Sequence, residues 1–340
     1  MKRLLILPLM AGISLPALAL PPLGDPGFGG MVNLGYAGGE IETNFLAEID
    51  GPDIDLGSES IDDLGSPESE GLAMPVANFD IGYLFSNGRT RISIANDFSD
   101  LIEFDRTTRL SLRHDFDSFG QTRLDLLSPA GMATRVYADP YQTDVNRKST
   151  DMETSGVQLT WDGIMGSGFG LEIAMKERDI DDEFSGQALV DDGELTRAQA
   201  QQLDRNGDIT TVEVGYDYEV DSAHTIRPAI AYVDRDLDGD AMSQDGGVLS
   251  LGHTYNSEHL KWLTKISYTD LSGDKTNPIF DDKNSASGFG VSSVVAFPGT
   301  IGFLGKWTPN VVLNWADLDS NIDFNDFSMW TVGASLSRKF

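Results

Sequence analysis

The sequence predicts an all-β protein: an antiparallel transmembrane β-barrel of about fourteen strands, with twelve as the alternative count. Three observations carry that expectation. Short runs in which apolar and polar residues alternate recur along the chain, the period of a strand with one apolar face. The gaps between runs are alternately long and short, as when long extracellular loops and short periplasmic turns join neighbouring strands. Beyond the first twenty residues, no stretch approaches the ~20 apolar residues a membrane helix needs, so a membrane can be crossed only by strands.

The strands follow in order. The first is expected over 28–44, with Val32, Leu34 and Tyr36 on one face. The second, Ala77–Phe85, alternates through Phe79, Ile81 and Tyr83, and Ser86-Asn87-Gly88 turns the chain because Asn-Gly tolerates positive φ. The third and fourth, 89–98 and 103–116, are separated by a short gap, and merging them would lower the count to twelve. The fifth spans 120–128, and a long loop covers 129–153. The sixth and seventh occupy 154–162 and 169–180, followed by a loop over 181–208. Strand eight is 212–220; strand nine carries Ile226, Ile230 and Tyr232. After an Asp-rich loop come strand ten (Leu249, Leu251), strand eleven (Trp262, Ile266, Tyr268), strand twelve (Phe289, Val291) and strand thirteen (Val311, Leu313, Trp315). The last runs from Trp330 to Phe340.

Both ends support export. Lys2-Arg3, the apolar run Leu4–Leu15 and Ala17-Leu18-Ala19 have the form of a secretory signal peptide over residues 1–19, leaving residues 20–340 as one barrel domain. The expected location is the Gram-negative outer membrane, reached through the periplasm, with outer-membrane lipid and lipopolysaccharide around the barrel. The chain has no cysteine, which excludes lipidation at cysteine, disulfides and thiol catalysis. The final strand, ending in Phe340, resembles the closing strand of outer-membrane barrels, whose terminal Phe is read by the barrel-assembly machinery. Arg338 departs from that pattern.

The formal charge of −30 excludes nucleic acid as a partner. Acid is concentrated early: nine acidic residues and no base lie between Ala47 and Gly71. If apolar strand faces meet lipid, their complement faces the lumen. That places Arg89, Arg91, Arg109, Arg113 and Arg123 on one wall, and Glu213, Asp217 and Glu219 on another, giving a transverse field that would set selectivity. Asp234, Asp236, Asp238 and Asp240, with Gly239 and then Asp245, have the spacing of the first half of an EF-hand loop, so a Ca²⁺ site is an expectation. No other cofactor is required. The four histidines fall near periplasmic strand ends and form no catalytic constellation in the sequence, so no enzyme activity is expected.

Several short segments occur in a fixed order: Gly27-Phe-Gly-Gly30, Asp139-Pro140-Tyr141, Ser185–Leu189, Leu203–Asp208, Asp236–Met242, Lys275–Ile279 and Ser320–Phe324. In these the chain resembles a family of uncharacterised proteobacterial outer-membrane proteins, over nearly its full length. The resemblance implies a barrel and supplies no substrate. The expected function is a porin-like channel for small hydrophilic or charged solutes. The alternative is a non-conducting surface barrel whose acidic loops bind Ca²⁺ or an external partner. Oligomeric state is open.

Overall fold

The computed structural model describes residues 20, 23–49, 54–100, 105–129, 134–299 and 306–340. Fourteen antiparallel strands close into a barrel. They are β1 (Gly27–Glu42), β2 (Ser69–Leu84), β3 (Thr90–Asp100), β4 (Asp105–Asp115), β5 (Gln121–Pro129), β6 (Ser149–Asp162) and β7 (Phe169–Ile180). Around the other half run β8 (Gly207–Tyr216), β9 (His224–Leu237), β10 (Gln244–Asn256), β11 (Lys261–Gly273), β12 (Ala286–Ala296), β13 (Thr308–Ser320) and β14 (Phe327–Lys339). β3 and β4 pair in register from Thr90↔His114 to Asp97↔Thr107, which settles the count at fourteen rather than twelve. β1 meets β14 from Met31↔Lys339 to Glu42↔Ser328, and so leaves no open edge at the seam.

The alternation sorts the side chains as lipid requires. Leu34, Ile94, Leu110, Leu126, Met175, Ile230, Leu249 and Leu313 all stand exposed on the outside. Aromatic residues flank this apolar band at both heights. Phe28 packs edge-on to Tyr83 and Phe169 to Tyr216 near the short turns; Tyr268 tilts on Phe289 nearer the long loops.

Several strands reach further than the alternation foretells. β2 begins at Ser69, β6 at Ser149, and β9 runs on to Leu237. β8 starts at Gly207, five residues before the expected Val212. All the extra length lies at the loop end, beyond the apolar band, where the outer face is polar or small and the apolar residues, Leu72, Met152, Ile209 and Leu237, lie on the inner face, so the alternation of the lipid band breaks off.

The junction between β2 and β3 is irregular. β2 pairs with β3 only from Asp80↔Ala95 to Leu84↔Arg91. Just above, the Asn96 side chain substitutes for the ladder: its Oδ1 accepts from Phe79 N and its Nδ2 donates to Ala77 O, each at 2.7 Å. Pro75, which lacks an N–H, sits on this unladdered stretch of β2, where no donor is needed.

Apolar cores form at the loop end rather than in the barrel's middle. One joins Ile41, Leu72, Met152, Ile180 and Met329 of the upper wall to Leu46, Ile49, Ile54 and Leu56 of the first loop. A second lies wholly among loops and strand tips.

Candidate functional site

The candidate site is the barrel interior and the cap above it. Between the two rims, every described inward-facing side chain is buried or half-buried. Asn33, Ser93, Ser111, Asp125, Thr160, Arg227, Lys265, Ser292 and Asn310 are all buried. The interior is therefore polar and closely lined, unlike the wide water-filled lumen of the largest porins.

The expected lumen residues divide. Arg91, Arg109, Arg113 and Arg123 do face inward on β3, β4 and β5, but each meets an inward partner. Arg91 pairs with Asp80, and Arg113 donates to Gln121. Arg123 Nε lies 2.7 Å from Asp125, whose other oxygen is 3.9 Å from Arg109 Nε. Asp125 is wholly buried between the two guanidiniums. Arg89 stands elsewhere: it lies in the turn before β3, exposed, 2.5 Å from Asp117.

The acidic residues belong to the same band rather than to a separate wall. Arg123 Nη2 donates to Thr160 Oγ1 at 3.4 Å, and Thr160 donates to Glu172 at 3.2 Å. Glu172 on β7 is the register partner of Glu213 on β8. Asp217 follows β8 and accepts from Arg227 Nη1 at 3.0 Å. Arg227 starts on β9 and lies flat across β8 and β7. Glycine permits this: a Cβ on Gly215 would fall 2.7 Å from Arg227 Nε, and one on Gly170 2.7 Å from Nη2. Glu219 sits exposed at the periplasmic rim. Bases and acids thus interleave from β2 to β9, so their fields largely cancel in pairs.

The expected EF-hand loop is mostly strand. Asp234 and Asp236 lie on β9 and Asp245 on β10, where it is the register partner of Asp234 and accepts from Tyr232 Oη at 3.1 Å. Only Asp238 and Asp240 occupy the hairpin tip. Alternation sends Asp234, Asp236 and Asp245 to the outer face of the wall, the side of Tyr232, so they do not wrap around a centre. Among the described residues, no group of three or more His, Asp or Glu is placed to hold a metal. Gly239 serves a close approach instead: a Cβ there would fall 2.4 Å from Asp204 N.

The cap is what composition and spacing missed. Tyr141 and Phe324 stack at 5.1 Å, with Phe45 and Phe280 against Phe324 at 5.6 and 5.7 Å. Leu203, Ala241 and Phe324 are wholly buried among them. The polar fittings are specific. Asp139 accepts from Gly186 N at 3.0 Å and Ala188 N at 2.8 Å, tying down the short helix α1 (Gln187–Asp191). Arg205 lies 2.6 Å from Glu183, both buried, and donates to Tyr137 O at 2.7 Å. Arg147 donates to the carbonyls of Asn44 and Pro140 and lies over the Tyr137 ring. Burial pushes the Tyr137 hydroxyl up to about 12, Tyr141 further still, and Arg147 downward. All the ordered short segments except Gly27–Gly30 contribute to this cap. Their fixed order was the signal; that they meet in space was not visible.

The fold and site define a transmembrane β-barrel with a charged, tightly lined interior under an apolar loop cap. The chain belongs to the family described as protein of unknown function (DUF2860), which matches residues 27–336. No curated protein matches it. Among solved structures, a Pseudomonas aeruginosa FadL homologue is similar at 10% identity, covering 92% of this chain and 90% of that one, with a TM-score of 0.43. The CymD monoaromatic hydrocarbon channel is similar at 8% identity, 93% and 89% coverage and a TM-score of 0.45. Outer-membrane expressed OmpT of Vibrio cholerae is similar at 10% identity, 93% and 99% coverage and 0.40. Likenesses of this size carry no argument about function.

Proposed function

We infer that the protein is an outer-membrane channel that passes small hydrophilic or charged solutes along its ion-paired lumen and rests closed under its extracellular cap. The observation that supports this is the division of chemistry. The wall is lined by polar groups such as Arg123, Thr160, Glu172 and Lys265, whereas the apolar obstruction is built largely from loops. A polar conduit with an obstruction not integral to its wall suits gated passage. The apolar belt between aromatic girdles suits the outer membrane.

Single-channel recording in planar bilayers tests the reading. Wild type is expected to show rare, small openings. Phe324→Ala, which empties the centre of the cap, should raise the open probability at least fivefold. Arg91→Glu with Arg113→Glu in that background should shift permeability toward cations. The packing of the cap favours a second reading, a non-conducting surface barrel. If wild type and Phe324→Ala both fold and neither carries current, the channel is wrong and the second reading stands.

A further inference from the structure

Leu20 lies far from where the wall begins. Its side chain is buried, and its backbone N donates to Asp162 Oδ2 at 2.8 Å. Asp162 is the last residue of β6, inward-facing and buried at the periplasmic end. The chain enters the wall at Gly27 on β1, five strands away around a ring of fourteen. The contact with Asp162 therefore spans the interior; it is not one between sequence neighbours. Asp162 is also a prepared acceptor. Arg227 Nη1 stands 3.7 Å from its other oxygen, and Gly170 keeps that approach clear, since a Cβ there would lie 2.9 Å from Asp162 Oδ1.

The residue before Leu20 is Ala19, the last of the Ala17-Leu18-Ala19 cleavage pattern. We propose that processing between Ala19 and Leu20 makes the atom bonded to Asp162 the mature α-ammonium, so that the new end of the chain is fastened by an ion pair inside the periplasmic end of the lumen. Hydrolysis breaks the Ala19 C–Leu20 N bond. Water supplies the oxygen of the released Ala19 carboxylate, and its protons leave Leu20 as –NH₃⁺. A neutral amide donor becomes a cationic one, and charge-assisted bonds are roughly twice as strong as neutral ones. The pair cannot form in the precursor, because Leu20 N is then an amide. Processing thus supplies an interior contact that the unprocessed chain lacks.

The test uses protein extracted from the outer membrane. Its intact mass should correspond to a chain starting at Leu20. An N-hydroxysuccinimide ester at pH 7 then reports on that amine, read from the mass of the N-terminal peptide. The α-amine of native wild type is expected to react at least tenfold more slowly than that of Asp162→Asn. A glycine inserted after Ala19 should match the fast rate, because it moves the ammonium about 3.5 Å along the chain. Asp162→Glu should restore most of the protection. Heat-modifiable migration on gels confirms that each variant is folded, and the glycine insertion serves if Asp162→Asn is not. A mature chain beginning elsewhere overturns the proposal, as does an equal rate in folded wild type and a folded variant lacking the pair. None of these readouts depends on conductance, so failure here and failure of the channel reading are separable.

Discussion

Gly39 and Gly71 show how one residue type carries two different burdens on adjacent strands. Gly39 faces inward on β1, and a Cβ there would fall 1.8 Å from the Trp330 carbonyl oxygen of β14. The obstacle is backbone, which cannot swing aside as a side-chain tip does. Gly71 on β2, the register partner of Glu40, has nothing within 4 Å of its virtual Cβ. Both sit in strands, so intrinsic propensity changes equally when either becomes Ala. Gly39→Ala should therefore lower stability by about 1–3 kcal/mol through forced backbone movement. Gly71→Ala should be neutral or gain up to about 1 kcal/mol by restricting the unfolded chain. Urea unfolding of both variants in liposomes measures the difference, and equal midpoints would refute the strain argument. The inward arginines teach a related lesson. Parity along each strand was enough to aim Arg91, Arg109, Arg113 and Arg123 inward. It could not reveal that Asp80 would meet Arg91 there, or Asp125 Arg109, because such partners are set by register between strands.

Among the elements, strands and loops differ in how legible they are. Strand segments in contact with lipid announce themselves, since hydrocarbon enforces an apolar residue at every second position. The loop-side ends of β2, β6 and β9 lie beyond the hydrocarbon: their outer faces carry Ser69, Ser149 and Asp236 while Leu72, Met152 and Leu237 turn inward, so the lipid-facing pattern stops before the strand does. The cap is least legible of all. Ile61, Tyr141, Leu203, Ala241, Phe280 and Phe324 come from separate connections and strand tips, each set in polar sequence, and become a core only when the barrel brings them together. That dependence makes the cap separable in stability from the wall. Tyr137 donates its hydroxyl to Gly57 O at 2.7 Å and is held protonated by burial, with its ionisation pushed up to about 12. An unfolded tyrosine ionises near ~10. The folded value is the higher one, so the contribution is fully present below pH ~10 and is lost as pH rises toward 12. The cap should accordingly loosen between pH ~10 and 12 while the wall persists. Protease cleavage in residues 134–148 should rise across that window, with far-ultraviolet circular dichroism unchanged. Tyr137→Phe, which cannot ionise, should lose the pH dependence.

At the scale of the whole molecule, closure brings the two ends of the sheet together. β14 aligns with β1 over its full length, and the bond pattern continues one step further. Phe340 N donates to Gly30 O and Gly30 N donates to Phe340 O, both at 3.1 Å. The backbone of Phe340 thus closes the ladder, while its ring is 60% exposed on the outer side. A side chain with so little protein around it contributes little to the finished barrel. These two contributions can be pulled apart. Phe340→Ala keeps both backbone bonds and removes only the ring, so refolded protein should lose at most about 2 kcal/mol, the transfer value of one aromatic side chain. If the ring is read during assembly, outer-membrane yield in cells should fall tenfold or more, far beyond what that loss explains. Deleting Phe340 removes the bonds as well and should depress refolded stability further without lowering cellular yield much below that of Phe340→Ala. Wild-type yield for Phe340→Ala would show that closing the ladder, rather than the aromatic ring, is what the end of the chain supplies.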